Sequence, residues 1–293
     1  MSVFCNKDTK VICQGITGMQ ATFHIRRSLD YGTKVVAGVT PGKGGEMHLG
    51  LPVFDTVKEA KAETQANASV MYVPAQSVKS AVKEAVEAEL DFTVCIADGV
   101  PVKDMLEIKA MLKGAKTKLI GPNTPGIITP GQARLGIFPE NIHTAGHVGI
   151  VSRSSTLTYE AVLETARAGQ GQSTVIGLGD DIIIGIDFVE ALERFQADDD
   201  TQAIVLIGQV GGSFEEVAAK YYKSLPNPKP VIGFVAGNAV PFGHKMGYAG
   251  EVIAGGHISA QDKRDAFEDA GIINVNKIND IHLELAKIFR TGK

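Results

Sequence analysis

Short apolar runs alternate with amphipathic stretches along the first part of the chain. The apolar runs have the length of buried strands and lie at 11–15, 33–39, 69–74, 92–98 and 118–122. Stretches with helical spacing separate them, at 19–31, 56–65, 76–89 and 101–114. Strands that alternate with helices predict a parallel sheet with helices on both faces.

The alternation stops at 121–147 and then restarts. Pro and Gly are frequent in that segment and no periodicity is sustained, which is typical of a connection between domains. Beyond it, predicted strands lie at 147–154, 173–179, 203–209, 229–237 and 272–275, and predicted helices at 156–169, 186–196, 213–224, 260–271 and 279–291. The pattern therefore predicts two doubly wound α/β domains, 1–122 and 148–293, with an interdomain connection at 123–147.

Composition and charge narrow the class of protein. The chain has 293 residues, 44% hydrophobic and 21% charged, which suits two globular domains of ordinary composition. Net charge is −4 and there is no basic stripe, so nucleic acid is not an expected partner. No apolar run approaches the roughly 20 residues of a spanning helix, so no membrane partner is expected. The N-terminus lacks the features of a signal or transit peptide, and we expect a cytoplasmic protein.

Three cysteines, Cys5, Cys13 and Cys95, form no C-x-x-C spacing. Their odd number and wide separation favour reduced thiols over a disulfide framework or a zinc site. We therefore expect no metal site in this chain.

A glycine turn follows the first predicted strand and opens the first predicted helix, at Gly15-Ile16-Thr17-Gly18-Met19-Gln20. Glycines let backbone N–H groups approach a phosphate, and a helix N-terminus favours negative charge. The same glycines also suit a plain tight turn, so a nucleotide or CoA site and a structural turn both remain open. A dinucleotide site is disfavoured, because the turn is not G-x-G-x-x-G and no acidic residue ends the second strand.

Hydroxyl residues mark the start of a helix in the second half, at Ser152-Arg153-Ser154-Ser155-Thr156. Such residues cap the free N–H groups of a first helical turn. The same N–H groups and the helix dipole attract an anion. The residues therefore predict a cap, and they are compatible with a phosphate site.

Several separate segments, in order, resemble the alpha subunit of succinyl-CoA synthetase: QGITGMQATFH (14–24), GVTPGKGGEMHLGLPVF (38–54), GPNTPG (121–126), VGIVSRSSTLTYEA (148–161) and GHKMGYAGEVIAGG (243–256). The resemblance covers essentially the whole chain. It implies a Rossmann-like CoA-binding domain followed by a flavodoxin-like domain, and a beta-subunit partner with an ATP-grasp domain. That family joins a small carboxylic acid to coenzyme A through an acyl phosphate and a phosphohistidine, in the tricarboxylic acid cycle. ATP or GTP, with Mg, is held by the partner.

The resemblance also implies roles for individual residues. The phosphate-facing turn of the CoA site corresponds to Thr17, Gly18, Met19 and Gln20, with Met19 where serine is common, and Lys43 supplies a cation for CoA phosphates. Further CoA contacts are implied for Ile96, Ala97 and Asp98, where the family usually has Thr-Glu. Substrate contact is implied for Tyr159, for which a core aromatic is the alternative. Phosphate binding is implied for Ser154, Ser155 and Thr156, with Ser155 in place of glycine.

The chain departs from the family at the centre of the reaction. Tyr248 stands at the phosphohistidine position, and Gln209 stands at the glutamate that orients the histidine. Asp180 begins Asp-Asp-Ile-Ile-Ile, where Gly-Asp-Pro-Ile-Pro is usual, and Thr124 stands where many members have cysteine. A phenol with a pKa of about 10 is a poor nucleophile at neutral pH, so phosphorylation at 248 is not expected. His244 and His257 do not match the family's position.

Different functions remain open at this point. The main hypothesis is an alpha-type subunit of a nucleotide-dependent acid–CoA ligase with an altered phosphate centre. The alternative is a non-catalytic CoA-binding paralogue that regulates or scaffolds a ligase. A CoA-transferase-like or acyl-phosphate reaction at the CoA site is a third possibility.

Overall fold

The computed structural model describes residues 3–237 and 259–291. The chain forms two compact units. The N-terminal domain comprises Phe4–Glu140 together with the short segment Ile183–Ile186. The C-terminal domain comprises Val3, Asn141–Ile182 and the described residues from Asp187 onward.

The N-terminal domain is built on a parallel sheet. Its elements are β1 (Lys10–Gln14), α1 (Met19–Asp30), β2 (Lys34–Val39), β3 (Met47–His48), β4 (Leu51–Phe54), α2 (Val57–Thr64), β5 (Ala68–Met71), α3 (Val78–Glu87), β6 (Phe92–Cys95), α4 (Val102–Leu112), β7 (Lys118–Ile120), β8 (Gly126–Thr129) and β9 (Ala133–Gly136). The strand order is β3-β4-β2-β1-β5-β6-β7, and only β3 is antiparallel to its neighbour in this sheet. Numbered along the chain, the six parallel strands run 3-2-1-4-5-6, which is the Rossmann order.

The C-terminal domain is a second parallel α/β unit. Its elements are β10 (Ala145–Ser152), α5 (Ser155–Arg167), β11 (Gln172–Gly177), α6 (Phe188–Ala197), β12 (Ala203–Gln209), α7 (Phe214–Lys223), β13 (Val231–Ala236), α8 (Ala260–Ala270), β14 (Ile273–Asn274) and α9 (Ile281–Thr291). These strands lie in the order β14-β13-β12-β10-β11 and pair in parallel. Numbered within the domain, the order is 2-1-3-4-5, which is the flavodoxin-like order. The predicted fold class is confirmed in both domains.

The burial of the strands explains why the sequence shows them as apolar runs. Every residue of β5, β6, β11 and β12 is buried, as expected for parallel strands covered by helices on both faces. The strand order reverses direction beside β1 in one domain and beside β10 in the other. Ligands of open α/β sheets bind at the carboxyl ends of strands at such a switch point.

The compact units differ from the predicted domain limits in two places. Residues of the predicted connection form the antiparallel hairpin β8–β9, which belongs to the N-terminal domain with Ile127, Ile128 and Leu135 fully buried. The chain also returns to that domain at Ile183–Ile186, where backbone N–H groups bond the carbonyls of Gly121 and Leu119 at 2.8 Å. These short stretches lie in segments without a sustained alternation of strand and helix patterns, so the sequence does not reveal their place in the N-terminal domain.

Candidate functional site

The first glycine turn is fixed by backbone geometry. Gly15 has φ +81°, and a Cβ on it would lie 2.8 Å from the carbonyl oxygen of Tyr72, which follows β5. Its N–H donates to the carbonyl of Val39 at 2.7 Å, and the N–H of Gly18 donates to the carbonyl of Gly15 at 3.0 Å. Glycine at 15 is therefore required by both conformation and space. The turn lies at the switch point between β1 and β5.

The N-terminus of α1 is open to an anion. Gly18 is the N-cap, no side chain caps the helix, and the first turn contains no acidic residue. The N–H groups of the first turn therefore lack intrahelical acceptors, and the helix dipole adds positive potential there. The predicted residues Thr17, Gly18, Met19 and Gln20 are contiguous along this turn, and Met19 is 83% exposed. This arrangement fits a phosphate group.

Lys43 lies in a folded loop after β2. Its N–H donates to the carbonyl of Thr40, and its carbonyl accepts from the N–H of Glu46, both at 3.1 Å. Thr40 also accepts a hydrogen bond from the Thr17 hydroxyl at 3.3 Å, so the loop and the glycine turn share one edge of the sheet. Lys43 is exposed and has no ion pair with the described residues. A cation free of internal partners at this edge suits an anionic ligand.

Asp55 was not foreseen as part of this region. One of its carboxylate oxygens accepts hydrogen bonds from the N–H groups of Gly42 and Gly44, at 2.6 and 3.0 Å. The two glycines flank Lys43 in the sequence, whereas Asp55 lies beyond β4. No spacing pattern in the sequence predicts the contact between Asp55 and these glycines.

Ile96, Ala97 and Asp98 follow β6 at the same edge of the sheet. The N–H of Ile96 donates to the carbonyl of Met71 at 3.3 Å, and Asn123 donates its N–H to Ala97 at 2.8 Å. Asp98 is exposed, while Ile96 and Ala97 are half-buried. Parallel strands end at one edge, so these residues and the glycine turn face the same side of the domain.

Cys5 and Cys13 carry no reactive thiolate. All three cysteines are free and buried, and burial raises the pKa of Cys5 to about 11 and that of Cys13 further. A buried protonated thiol is inert. Thr124 is also buried, and its hydroxyl accepts a hydrogen bond from the N–H of Gly126 at 2.9 Å.

In the C-terminal domain, three hydroxyl residues have different roles at the start of α5. Ser154 is the N-cap, and its Oγ accepts from the N–H of Leu157 at 3.4 Å. Its carbonyl accepts the hydroxyl of Thr158 at 2.6 Å. Ser155 and Thr156 follow as the first helical residues. Ser154 thus takes the capping task, and the N–H groups of Ser155 and Thr156 remain at the positive end of the helix.

Arg153 is a buried cation that directly precedes this helix, and the sequence predicts no role for it. Its side chain is 1% exposed, its guanidinium lies 4.5 Å from the centre of the Phe214 ring, and Nη2 donates to the carbonyl of Asp181 at 2.9 Å. Nη1 has no hydrogen-bond partner among the described residues. Burial lowers the pKa of Arg153, while Glu215 and Asp180 oppose that shift, so it stays charged.

Gln209 ends β12, the strand beside β10, and therefore shares an edge with the start of α5. Its Nε2 donates to the Asp180 carboxylate, whereas its buried Oε1 has no partner in the part of the chain that the structure describes. The Gln209 backbone N–H donates to Glu215 at 3.0 Å. Glu215 pairs in turn with Lys263 at 2.5 Å, with both side chains fully buried.

The remaining predicted residues are only partly placed. Tyr159 is half-buried on α5. Tyr248, His244 and His257 lie outside the described residues. The structure brings Gln209, Asp180 and the α5 start together at the C-terminal switch point. In residues 3–237 and 259–291, no cluster of His, Cys, Asp and Glu is suited to a metal ion, and no helix has the length and apolar character to cross a membrane.

Comparisons with known proteins agree with both domains. Residues 6–99 match the CoA binding domain family, and residues 151–273 match the CoA-ligase family. The ADP-forming succinate–CoA ligase subunit alpha of Staphylococcus epidermidis is 50% identical over 281 residues, covering 96% of this chain and 93% of that protein. The corresponding Staphylococcus aureus subunit is 50% identical over 272 residues, covering 93% and 90%.

Solved structures show the same fold. An ATP citrate lyase from Methanothrix soehngenii, in complex with citrate and coenzyme A, superposes with a TM-score of 0.90 at 23% identity. The match covers 99% of this chain, which spans 51% of the length of that one. An acetyl-coenzyme A synthetase from Ca. Korarchaeum cryptofilum gives a TM-score of 0.73 at 19% identity, covering 96% and 61%.

Proposed function

The chain belongs to the family of succinate–CoA ligase alpha subunits, and from that premise we propose that it is the CoA-binding subunit of a nucleotide-dependent acid–CoA ligase. The observation that carries the proposal is 50% identity along 96% of the chain to an ADP-forming succinate–CoA ligase subunit alpha. The partner is a beta subunit with an ATP-grasp domain, which holds ATP or GTP with Mg. The second substrate is a small carboxylic acid, and the setting is the cytoplasm.

The glycine turn and Lys43 are the proposed CoA site. The uncapped start of α1, with Thr17, Gly18, Met19 and Gln20, offers N–H groups to phosphate oxygens. Lys43 adds a point charge on the same edge of the sheet. Ile96, Ala97 and Asp98 line that edge beyond β6. When bound, CoA supplies the thiol that becomes the thioester sulfur, and the turn holds its phosphate end.

The start of α5 is the proposed phosphate site. Ser155 and Thr156 present N–H groups at the positive end of a helix of 13 residues, and Ser154 caps it. Buried Arg153 has a free Nη1 among the described residues. Positive groups in this place lower the energy of a phosphoryl group that carries two negative charges. Tyr159, on the same helix, is the proposed substrate contact.

Two residues at the centre of this site differ from those usual in the family. We propose that these differences change the route of phosphoryl transfer. Position 248 is tyrosine and position 209 is glutamine in this chain. The Gln209 amide bonds the Asp180 carboxylate, which therefore brings a negative charge to the side chain at 209. A protonated phenol is a weak nucleophile at pH 7. We propose that no phosphohistidine forms at 248, and that the phosphoryl group is transferred directly or by a histidine of the partner.

Reconstitution with an ATP-grasp beta subunit tests the proposal. ATP-dependent formation of a CoA thioester is expected with succinate or another small carboxylic acid, and the beta subunit alone is the control. Labelled ATP, followed by mapping of the phosphorylated residue, is expected to leave Tyr248 unlabelled, with Y248F as the matched variant. Absence of thioester across a panel of small acids would contradict the ligase.

The altered centre favours one alternative, a non-catalytic paralogue that binds CoA and regulates or scaffolds a ligase. The identities of residues 209 and 248 carry this alternative. It is favoured if CoA binds without turnover and if Y248H together with Q209E fails to restore thioester formation. Loss of CoA binding would rule out both functions.

A further inference from the structure

The loop that carries Lys43 is fixed at both ends by β4. The N–H of Thr40 donates to the carbonyl of Phe54, and the N–H of Gly45 donates to the carbonyl of Val53, each at 3.0 Å. Asp55 follows β4 directly in the chain. The position of Asp55 at the end of β4 therefore places its carboxylate beside the middle of the loop.

Two hydrogen bonds to that carboxylate define the loop around Lys43. The N–H groups of Gly42 and Gly44 both donate to Asp55 Oδ1, at 2.6 and 3.0 Å. Lys43 is the residue between them. Bonds from backbone N–H to a carboxylate are stronger than neutral ones, so they restrict the backbone on both sides of the lysine.

The glycines are adapted to this contact. A Cβ on Gly44 would lie 2.5 Å from Asp55 Oδ2, so any larger residue displaces the carboxylate. Gly42 has φ +80°, a conformation that glycine adopts without strain. Gly44 does not have a positive φ, so its backbone conformation does not require glycine. Glycine is needed there because it leaves room for the Asp55 carboxylate.

We propose that Asp55 is a positioning residue for Lys43, and that it organises the loop for the phosphate groups of CoA. The inference rests on the proposed CoA site. Asp55 acts through the loop backbone and makes no contact with the ligand. By keeping the loop in its binding conformation, it reduces the conformational entropy lost when the ligand binds.

The direction in which Asp55→Ala changes the affinity for CoA distinguishes a positioning role from a purely electrostatic effect. Removal of a carboxylate near a polyanion site strengthens anion binding if charge alone matters. Positioning has the opposite consequence, because Asp55→Ala frees the backbone around Lys43. Asp55→Asn keeps an acceptor oxygen and removes the charge. It is expected to bind CoA as tightly as the wild type or more tightly.

Isothermal titration of the full chain with CoA provides the test. Asp55→Ala is expected to weaken CoA binding about tenfold. Glu63→Ala removes an exposed carboxylate from α2 of the same domain and is the matched control, with wild-type affinity expected. Lys43→Ala and the double variant Lys43→Ala/Asp55→Ala are expected to bind equally weakly, because Asp55 acts through Lys43.

The outcomes are separable. Wild-type or tighter binding by Asp55→Ala overturns the positioning inference, as does full additivity in the double variant. Failure of the wild type to bind CoA overturns the proposed function, and the inference with it. If Asp55→Ala does not fold, Gly44→Ala displaces the carboxylate while retaining the acid, and it is expected to weaken CoA binding in the same way. Unchanged affinity in a folded Gly44→Ala overturns the inference.

Discussion

Ser154 and Ser155 are adjacent hydroxyl residues with different roles at the start of α5. Ser154 caps the helix through its Oγ, whereas Ser155 is the first helical residue. We expect Ser154→Ala to lower the free energy of unfolding by about 1 kcal/mol, because one N–H loses its acceptor. Ser155→Ala is the matched control and is expected to stay within about 0.5 kcal/mol of the wild type. Urea denaturation measures both, and equal losses would contradict the assignment of the cap.

His24 on α1 gives the N-terminal domain a pH dependence. Its ring stacks on Tyr72 at 5.8 Å, and burial, with help from Arg134 and Arg27, lowers its pKa. A histidine with a lowered pKa is neutral in the folded state at a pH where the unfolded chain binds a proton. Its contribution to stability is therefore lost as pH falls below about 6.5.

His24→Gln is expected to reduce the loss of unfolding free energy between pH 7.5 and pH 5.5. His147→Gln is the control, because His147 is exposed and bonds only a backbone carbonyl through Nδ1 in the structure described. Urea denaturation at the two pH values measures the difference. If His24→Gln loses as much unfolding free energy between pH 7.5 and pH 5.5 as the wild type, the ring of His24 is protonated equally in the folded and unfolded states.

At the scale of single residues, the sequence predicts local geometry better where the residues are contiguous. The turn that contains Thr17 to Gln20 could be predicted because glycine spacing and a following helix are visible in the chain. The contacts of Arg153 and Asp55 could not be predicted from the sequence. The burial of Arg153 depends on its packing against Phe214, and the contact of Asp55 with Gly42 and Gly44 depends on how β4 places Asp55 beside a distant loop.

At the scale of elements, two lysines in the described part of the chain form ion pairs between α7 and α8, and these pairs are expected to differ in energy. Lys263 pairs with Glu215 at 2.5 Å, with both side chains fully buried, and with Glu216 at 3.0 Å. Lys223 pairs with Asp269 at 2.9 Å, and these side chains are 57% and 79% exposed. Loss of the first leaves a buried charge without its partner, whereas loss of the second leaves two solvated groups.

Lys263→Met is expected to cost about 3–5 kcal/mol of unfolding free energy, and Lys223→Met less than about 1 kcal/mol. The double variant Lys263→Met/Glu215→Gln is expected to recover part of the loss, because the stranded charge is gone. Because Glu215 also accepts the backbone N–H of Gln209, Lys263→Met is expected to disturb the end of β12. Denaturation of the three variants measures these costs, and equal effects of the two lysines would contradict the buried pair.

Element prediction succeeded for the strands that alternate with helices and failed for β3, β4 and the hairpin β8–β9. The strands of the Rossmann-like and flavodoxin-like sheets are runs of buried Val, Ile and Ala, which the sequence displays directly. The two-residue β3 is followed by another strand, and so is β8 in the hairpin β8–β9, so neither fits the alternation with helices. Their formation depends on pairing with neighbours that the local sequence does not specify.

At the scale of the whole molecule, the path of the chain makes the N-terminal domain depend on a distant segment. The chain enters that domain again at Ile183–Ile186, after β11 of the other unit. There the N–H of Gly185 donates to the carbonyl of Gly121, and the N–H of Ile186 donates to the carbonyl of Leu119, each at 2.8 Å. The segment thus completes hydrogen bonds beside the last strand, β7.

Gly185→Ala is expected to weaken the N-terminal domain. A Cβ at 185 would lie 2.0 Å from the carbonyl oxygen of Leu119, and since Gly185 has no positive φ, the effect is due to crowding alone. We expect a loss of about 1–3 kcal/mol and faster hydrogen exchange at the amides of Gly185 and Ile186. Lys109→Met removes only the exposed bond from Nζ to the carbonyl of Gly185 and is the control, with little change expected. Unaltered exchange in Gly185→Ala would show that the segment does not stabilise β7, and the N-terminal domain would then end at Glu140 in energetic terms.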